Sequence, residues 1–125
     1  MPDYELVHTI RFESARRLTR VPMGHPCGRL YGLAFHLEIH VAGDLGADTG
    51  WVVDFGEIEA AFAPIRAQVD HNYLNDLDGL HNPTSEVLVA WIWDRLAPTL
   101  PGLVQLVLRE NEVSRVIYRG PGGRG

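Results

Sequence analysis

Two stretches of this chain alternate polar and apolar residues with a period of two. From Tyr4 to Phe12, Leu6, His8, Ile10 and Phe12 share one face, while Glu5, Val7, Thr9 and Arg11 share the other. From Leu33 to Val41, Leu33, Phe35, Leu37, Ile39 and Val41 face one way, and Ala34, His36, Glu38 and His40 face the other. Each pattern predicts a strand with one buried face. Between them, Ser14 to Leu30 holds prolines, glycines and several arginines, and predicts a long loop. A loop of that length in a small domain is more often functional than idle. Gly43 to Gly50 predicts a turn region, and Trp51 to Val53 a short extended piece.

The period then changes. Asp54 and Glu57 have the spacing of a capping box, and Ile58, Ala61, Phe62, Ile65 and Val69 recur at helical spacing. Pro64 predicts a kink or interruption. Asn82-Pro83 predicts a second helix start, with proline at the first helical position. Val87, Leu88, Trp91, Ile92 and Leu96 form its apolar face, and Pro98 and Pro101 end it. Leu103 to Glu110 and Val113 to Arg119 predict two further strands, joined tightly near Asn111-Glu112. The order strand, strand, helix, helix, strand, strand predicts an α+β fold with an antiparallel sheet and helices on one face. One domain is expected over residues 1–120, with a frayed glycine-rich tail over 121–125. The face carrying His36, Glu38 and His40 then needs another cover, such as a polar lumen or an oligomer contact.

Composition narrows the function classes. The 125 residues suit one domain, and the net charge of −5 argues against a nucleic-acid partner. No apolar run is long enough to span a membrane, and the N-terminus lacks a signal-peptide core. A cytoplasmic location is the default expectation. Cys27 is the only cysteine, so an intramolecular disulfide and a cysteine-rich zinc site are excluded. All 11 basic residues are arginine, which removes a lysine Schiff base and a Walker-type phosphate loop.

Several residues carry candidate chemistry. Cys27 lies near His25 and Arg29, where positive charge favours a reactive thiolate; an ordinary buried cysteine is the alternative. In Asp70-His71, a carboxylate can orient an imidazole for proton transfer, or the pair can simply punctuate a helix C-terminus. Glu110 continues the face of Val104, Leu106 and Leu108. A carboxylate there is costly to bury without a partner, and a guanidine-like group would supply two parallel donors. Alternatively the strand ends and Glu110 reaches solvent. His36 and His40 share a face opposite to Leu33, and no HExxH-type motif exists, so spacing alone predicts no bound zinc.

Taken in order, Phe12 to Leu18, Val21 to Leu30, Gly50 to Phe55, Asp70 to Asn75, Asn82 to Glu86 and Ile117 to Gly120 resemble the 6-pyruvoyltetrahydropterin synthase family. The resemblance is strongest to its 6-carboxytetrahydropterin synthase branch of queuosine biosynthesis. It covers nearly the whole chain. It implies the tunnelling fold, a barrel completed by oligomerisation, a homotrimer or homohexamer, and active sites between subunits. It implies a base at Cys27, a proton-transfer pair at Asp70 and His71, a substrate anchor at Glu110 and a substrate contact at Thr84. The family's three zinc-binding histidines are replaced by Arg16, Tyr31 and Leu33. Neither arginine nor leucine ligates zinc, and a catalytic site needs three protein ligands.

These replacements suggest that Arg16 acts as an electrostatic clamp on substrate, Tyr31 as a proton donor or acceptor, and Leu33 as an apolar lining. The expected protein is a zinc-independent paralogue, a lyase or cyclase with no bound cofactor. Its expected partner is a pterin-like or other heteroaromatic small molecule, converted by proton-transfer-assisted cyclisation, condensation or carbon–carbon lysis. Two alternatives stand beside it: a non-catalytic binding or assembly subunit, and genuine 6-carboxytetrahydropterin synthase activity.

Overall fold

A computed structural model describes residues 3–122. Five strands, β1 (Tyr4–Arg16), β2 (Tyr31–Gly43), β3 (Asn72–Tyr73), β4 (Leu103–Arg109) and β5 (Arg115–Tyr118), form one sheet in the order β3-β1-β2-β4-β5. Helices α1 (Phe55–Val69) and α2 (Ser85–Leu96) lie between β2 and β4 in the chain. The fold is α+β, with both helices packed on one face. Ile10, Phe12, Phe35, Leu37, Ile39, Leu106 and Leu108 meet Ile58, Phe62, Leu88 and Ile92 in a single core cluster. The period-two and helical repeats of the sequence supply these residues directly.

Several expectations need correction. β1 runs to Arg16, so the loop before β2 is shorter than the Ser14-to-Leu30 stretch. Its last inward-facing positions are Ser14 and Arg16, both buried but polar, so hydrophobic alternation does not mark them. The sheet is not wholly antiparallel, because β3 pairs parallel to β1 through Ser14–Asn72 and Ala15–Tyr73. Trp51 to Val53 form bends rather than an extended piece. α1 continues through Pro64, which sits on its exposed side beside exposed Ala60. The Ala60 carbonyl, left without its i+4 partner, can turn to water there.

α2 also starts later than expected. Thr84 is its N-cap, accepting from the Val87 N–H at 3.1 Å. Pro83 therefore precedes the cap and leaves its carbonyl available to another partner. Val87 is exposed rather than part of the packed face. A bulge between His40 and Val41 pairs Val41 with Leu103 and His40 with Gln105. The bulge drops Val104 out of the inward face, while Leu106 and Leu108 remain on it. The β4–β5 connection is tight: Asn111 Oδ1 accepts from the N–H groups of Val113 and Ser114, both at 2.8 Å.

Of the predicted tail, Pro121 and Gly122 form a turn; residues 123–125 lie outside the described residues. No helix among the described residues is long and apolar enough to cross a membrane. The sheet face opposite the helices carries Glu5, Glu38 and His40. His40 bridges the two carboxylates at 3.0 and 3.1 Å.

The cap makes one expectation measurable. Thr84→Ala should lower unfolding stability by about 1 kcal/mol in urea denaturation, and Thr84→Ser should restore most of it. An unchanged midpoint in Thr84→Ala would contradict the capping role.

Candidate functional site

The end of β1, the start of β2, the N-terminus of α2 and the end of β4 converge on one side chain. Arg16 is buried, with a relative exposure of 3%. Its Nε donates to the Tyr31 hydroxyl at 3.0 Å, and its Nη1 donates to the Pro83 carbonyl at 3.1 Å and Ser85 Oγ at 3.4 Å. Its Nη2 donates to Glu110 Oε2 at 2.8 Å. The guanidinium carbon also lies 5.4 Å from the Tyr31 ring centroid and 5.7 Å from that of Phe35. Each bond has a local cause. Arg16 and Tyr31 are direct cross-strand partners in the β1–β2 register. Pro83 and Ser85 flank the Thr84 cap, so the start of α2 presents a carbonyl and a hydroxyl together.

Glu110 follows β4 and keeps the inward parity of Leu108. It therefore neither lies unpaired nor simply reaches solvent, since Ser85 Oγ also donates to its Oε2. Burial opposes its ionisation, but the Ser85 and Arg16 bonds outweigh burial and lower its pKa below 4.5. It is a carboxylate at neutral pH. Burial raises the pKa of the Tyr31 phenol above 10.0; Arg16 opposes this shift and nearby Cys27 adds to it. Tyr31 is thus a neutral phenol at neutral pH, able to donate a proton but not poised as a phenolate base.

Cys27 lies in a short 3-10 turn, Pro26–Gly28, capped by His25. His25 Nδ1 accepts from the Cys27 backbone N–H at 3.0 Å, so that nitrogen serves the turn rather than the thiol. Arg16, Cys27, Thr84, Ser85, Glu110 and Arg115 line one cleft of about 360 Å³. Ser85 and Arg115 were not identifiable by periodicity. Ser85 stands within the Asn82-to-Glu86 segment, but only the packing of α2 against β4 reveals its contact with Glu110.

Asp70 and His71 stand apart from this cleft. Asp70 Oδ1 accepts from the Glu13 N–H at 2.9 Å and lies 3.1 Å from His71 Nδ1. The Glu13 backbone bond is the main cause of a lowered Asp70 pKa, with His71 adding to it. His71 Nε2 lies 3.7 Å from Glu13, a residue missed by sequence reading, on the sheet face away from the helices. His71 has a backbone φ of 57°, an uncommon conformation for a non-glycine residue. Its side chain is 73% exposed. It lines a separate open groove of about 510 Å³ with Glu13, Gly32, Leu33 and Tyr73. Within one chain the Asp70–His71 pair and the Cys27 cleft are distinct.

These residues do not fit zinc. Arg16 fills its position with a cation already bonded to protein acceptors, and Leu33 offers no donor atom. Among the described residues, no group of three or more histidine, cysteine, aspartate or glutamate side chains is placed to hold a metal. The Arg16 N–H groups point at Tyr31, Pro83, Ser85 and Glu110, so the side chain is a strut of the cleft rather than an uncommitted clamp.

The lowered carboxylate pKa values fix the sign of a pH effect. Glu110 and Asp70 contribute stability above their unfolded pKa values, and lose it as pH falls through the lower folded values. Unfolding free energy should therefore fall between about pH 5 and 3. The gap between wild type and Glu110→Gln should narrow over that window. A gap that stays constant with pH would contradict an ionised, paired Glu110.

The sequence profile described as 6-pyruvoyl tetrahydropterin synthase matches residues 5–121. The chain is 39% identical over 101 residues to a Synechocystis protein named 6-carboxy-5,6,7,8-tetrahydropterin synthase, covering 76% of this chain and 78% of that protein. It is 35% identical over 77 residues to a Pyrococcus furiosus protein named dihydroneopterin monophosphate aldolase, covering 62% and 64% of the two chains. The fold matches Caenorhabditis elegans 6-pyruvoyl tetrahydropterin synthase with a TM-score of 0.88, at 18% identity and over 97% and 98% of the two chains. The chain therefore belongs to the 6-pyruvoyl tetrahydropterin synthase family.

Proposed function

We propose that this chain is a zinc-independent enzyme of its family, a lyase or cyclase acting on a pterin-like or other heteroaromatic substrate. The observation that carries this reading is the buried Arg16 guanidinium bonded to Tyr31 and Glu110, at a position the family resemblance assigns to a zinc ligand. The reaction class is proton-transfer-assisted cyclisation, condensation or carbon–carbon lysis. The last is the class carried by a relative named an aldolase.

In this reading Glu110 holds an N–H edge of the ring and Thr84 lies beside the ring in the cleft wall. Tyr31, neutral at working pH, can deliver a proton to a developing oxyanion. Arg16 supports that transfer indirectly, by holding the Tyr31 hydroxyl in place. Cys27 exchanges a proton at the substrate's reacting carbon. Asp70 orients the exposed His71 imidazole for a second transfer.

The separation of that pair from the Cys27 cleft motivates an assembly. The uncovered sheet face of one tunnelling-fold domain (residues 1–120) would join those of its copies into a barrel. His71 of one subunit would then serve the cleft of the next, in a homotrimer or homohexamer.

A second reading is 6-carboxytetrahydropterin synthase activity itself. The relatives' names and identities favour it over the first; residues 16, 31 and 33 favour the first. Metal analysis of the purified chain, with product analysis after incubation with dihydroneopterin triphosphate and added zinc, separates them. The first reading predicts less than about a tenth of a zinc per chain, since three ligands are lacking, and no 6-carboxytetrahydropterin. Stoichiometric zinc with accumulating 6-carboxytetrahydropterin would establish the second reading instead.

A further inference from the structure

The two oxygens of Glu110 are not equivalent. Oε2 accepts from Arg16 Nη2 at 2.8 Å and also from the Ser85 hydroxyl. A carboxylate oxygen offers about two lone-pair sites, so these donors saturate it. Oε1 receives no hydrogen bond from any described residue. Arg16 cannot readily swing away, because Nε and Nη1 are tied to Tyr31, Pro83 and Ser85 in a nearly buried position.

This arrangement changes what Glu110 can recognise. A ring edge with two parallel N–H donors needs both carboxylate oxygens at once. Here the second donor would meet a saturated oxygen, with the Arg16 guanidinium beside it. Donor would face donor, and one N–H of the ligand would be desolvated without a partner. Such an unpaired buried group is costly, more so beside a charge. A ring with one N–H between two carbonyl oxygens meets no such conflict. Its N–H reaches Oε1, and a neighbouring carbonyl oxygen is compatible with the guanidinium.

We propose that Arg16 is a specificity-determining positioning residue. With Ser85 it saturates Oε2 of Glu110 and so sets the cleft to take a heteroaromatic dione with a single N–H at that edge. Rings of the 2-amino-4-oxo type, with two parallel donors, are disfavoured. The inference rests on the reading that the Glu110 cleft holds a heteroaromatic ring, and it narrows the class of ring.

The test is titration calorimetry with two pteridines that differ at this edge: lumazine, the 2,4-dione, and pterin, the 2-amino-4-oxo ring. Wild type should bind lumazine at least as tightly as pterin. Arg16→Met frees one acceptor site on Oε2 and removes the facing guanidinium, and should shift the affinity ratio towards pterin by about tenfold or more. Ser85→Ala, which keeps Arg16 and its bonds to Tyr31 and Pro83, should shift the ratio the same way by about threefold, and serves if Arg16→Met does not fold. A purely structural Arg16 would weaken both ligands alike and leave the ratio unchanged. Wild type preferring pterin tenfold, or an unchanged ratio in the folded variants, would overturn the inference while leaving a ring-binding cleft intact. Failure of wild type to bind either ring would overturn the heteroaromatic reading and the inference with it.

Discussion

A guanidinium withdrawn from water must find acceptors for its N–H groups, and its charge must be balanced nearby. Arg16 meets both demands by joining four separate pieces of chain. It draws on the Tyr31 hydroxyl from β2, the Pro83 carbonyl and Ser85 hydroxyl from the start of α2, and the Glu110 carboxylate after β4. The cleft wall is therefore one hydrogen-bonded unit rather than a set of independent side chains. Removing Glu110 would leave the buried Arg16 charge without its carboxylate, which costs more than a single neutral bond contributes. Arg16, with Ser85, keeps Glu110 ionised, whereas burial keeps the Tyr31 phenol neutral against the pull of Arg16.

That placement also accounts for how the site differs from the one its family resemblance implies. A metal ion needs lone pairs directed at a shared point. Arg16 directs N–H donors outward from its own centre, and Leu33 contributes only carbon. The same scaffold consequently presents a fixed cation with no open coordination position.

Much of the fold was legible because its signals are local. The inward residues of β2, from Phe35 to Val41, and the buried stripe Ile58, Phe62, Ile65 and Val69 follow from period alone. Polar burial was not legible. Ser14 and Arg16 continue the inward face of β1, but they read as the start of a loop because they are not apolar. The bulge at Val104 and the parallel pairing of β3 depend on partners distant in sequence, which periodicity does not encode. Cys27 and Glu110 stood out by residue type and position, Tyr31 and Thr84 through the family resemblance, and the four share or border one cleft. Their bonding was not legible, because it depends on how α2 meets β4. That contact also supplied Ser85, and it showed Thr84 acting as a helix cap as well as a cleft residue. Asp70 and His71 were readable as a pair, but their place at the edge of β1 beside Glu13 required the β1–β3 pairing.

The account turns on Arg16 and Glu110 acting as a coupled pair within the folded chain. A double-mutant cycle of Arg16→Met and Glu110→Gln, read as unfolding free energy in urea at neutral pH, measures that coupling directly. The account predicts that the two single changes together cost more than the double change, by a favourable coupling of about 1.5–3 kcal/mol. Additivity within about 0.5 kcal/mol would contradict it, since side chains without a shared interaction behave in that way.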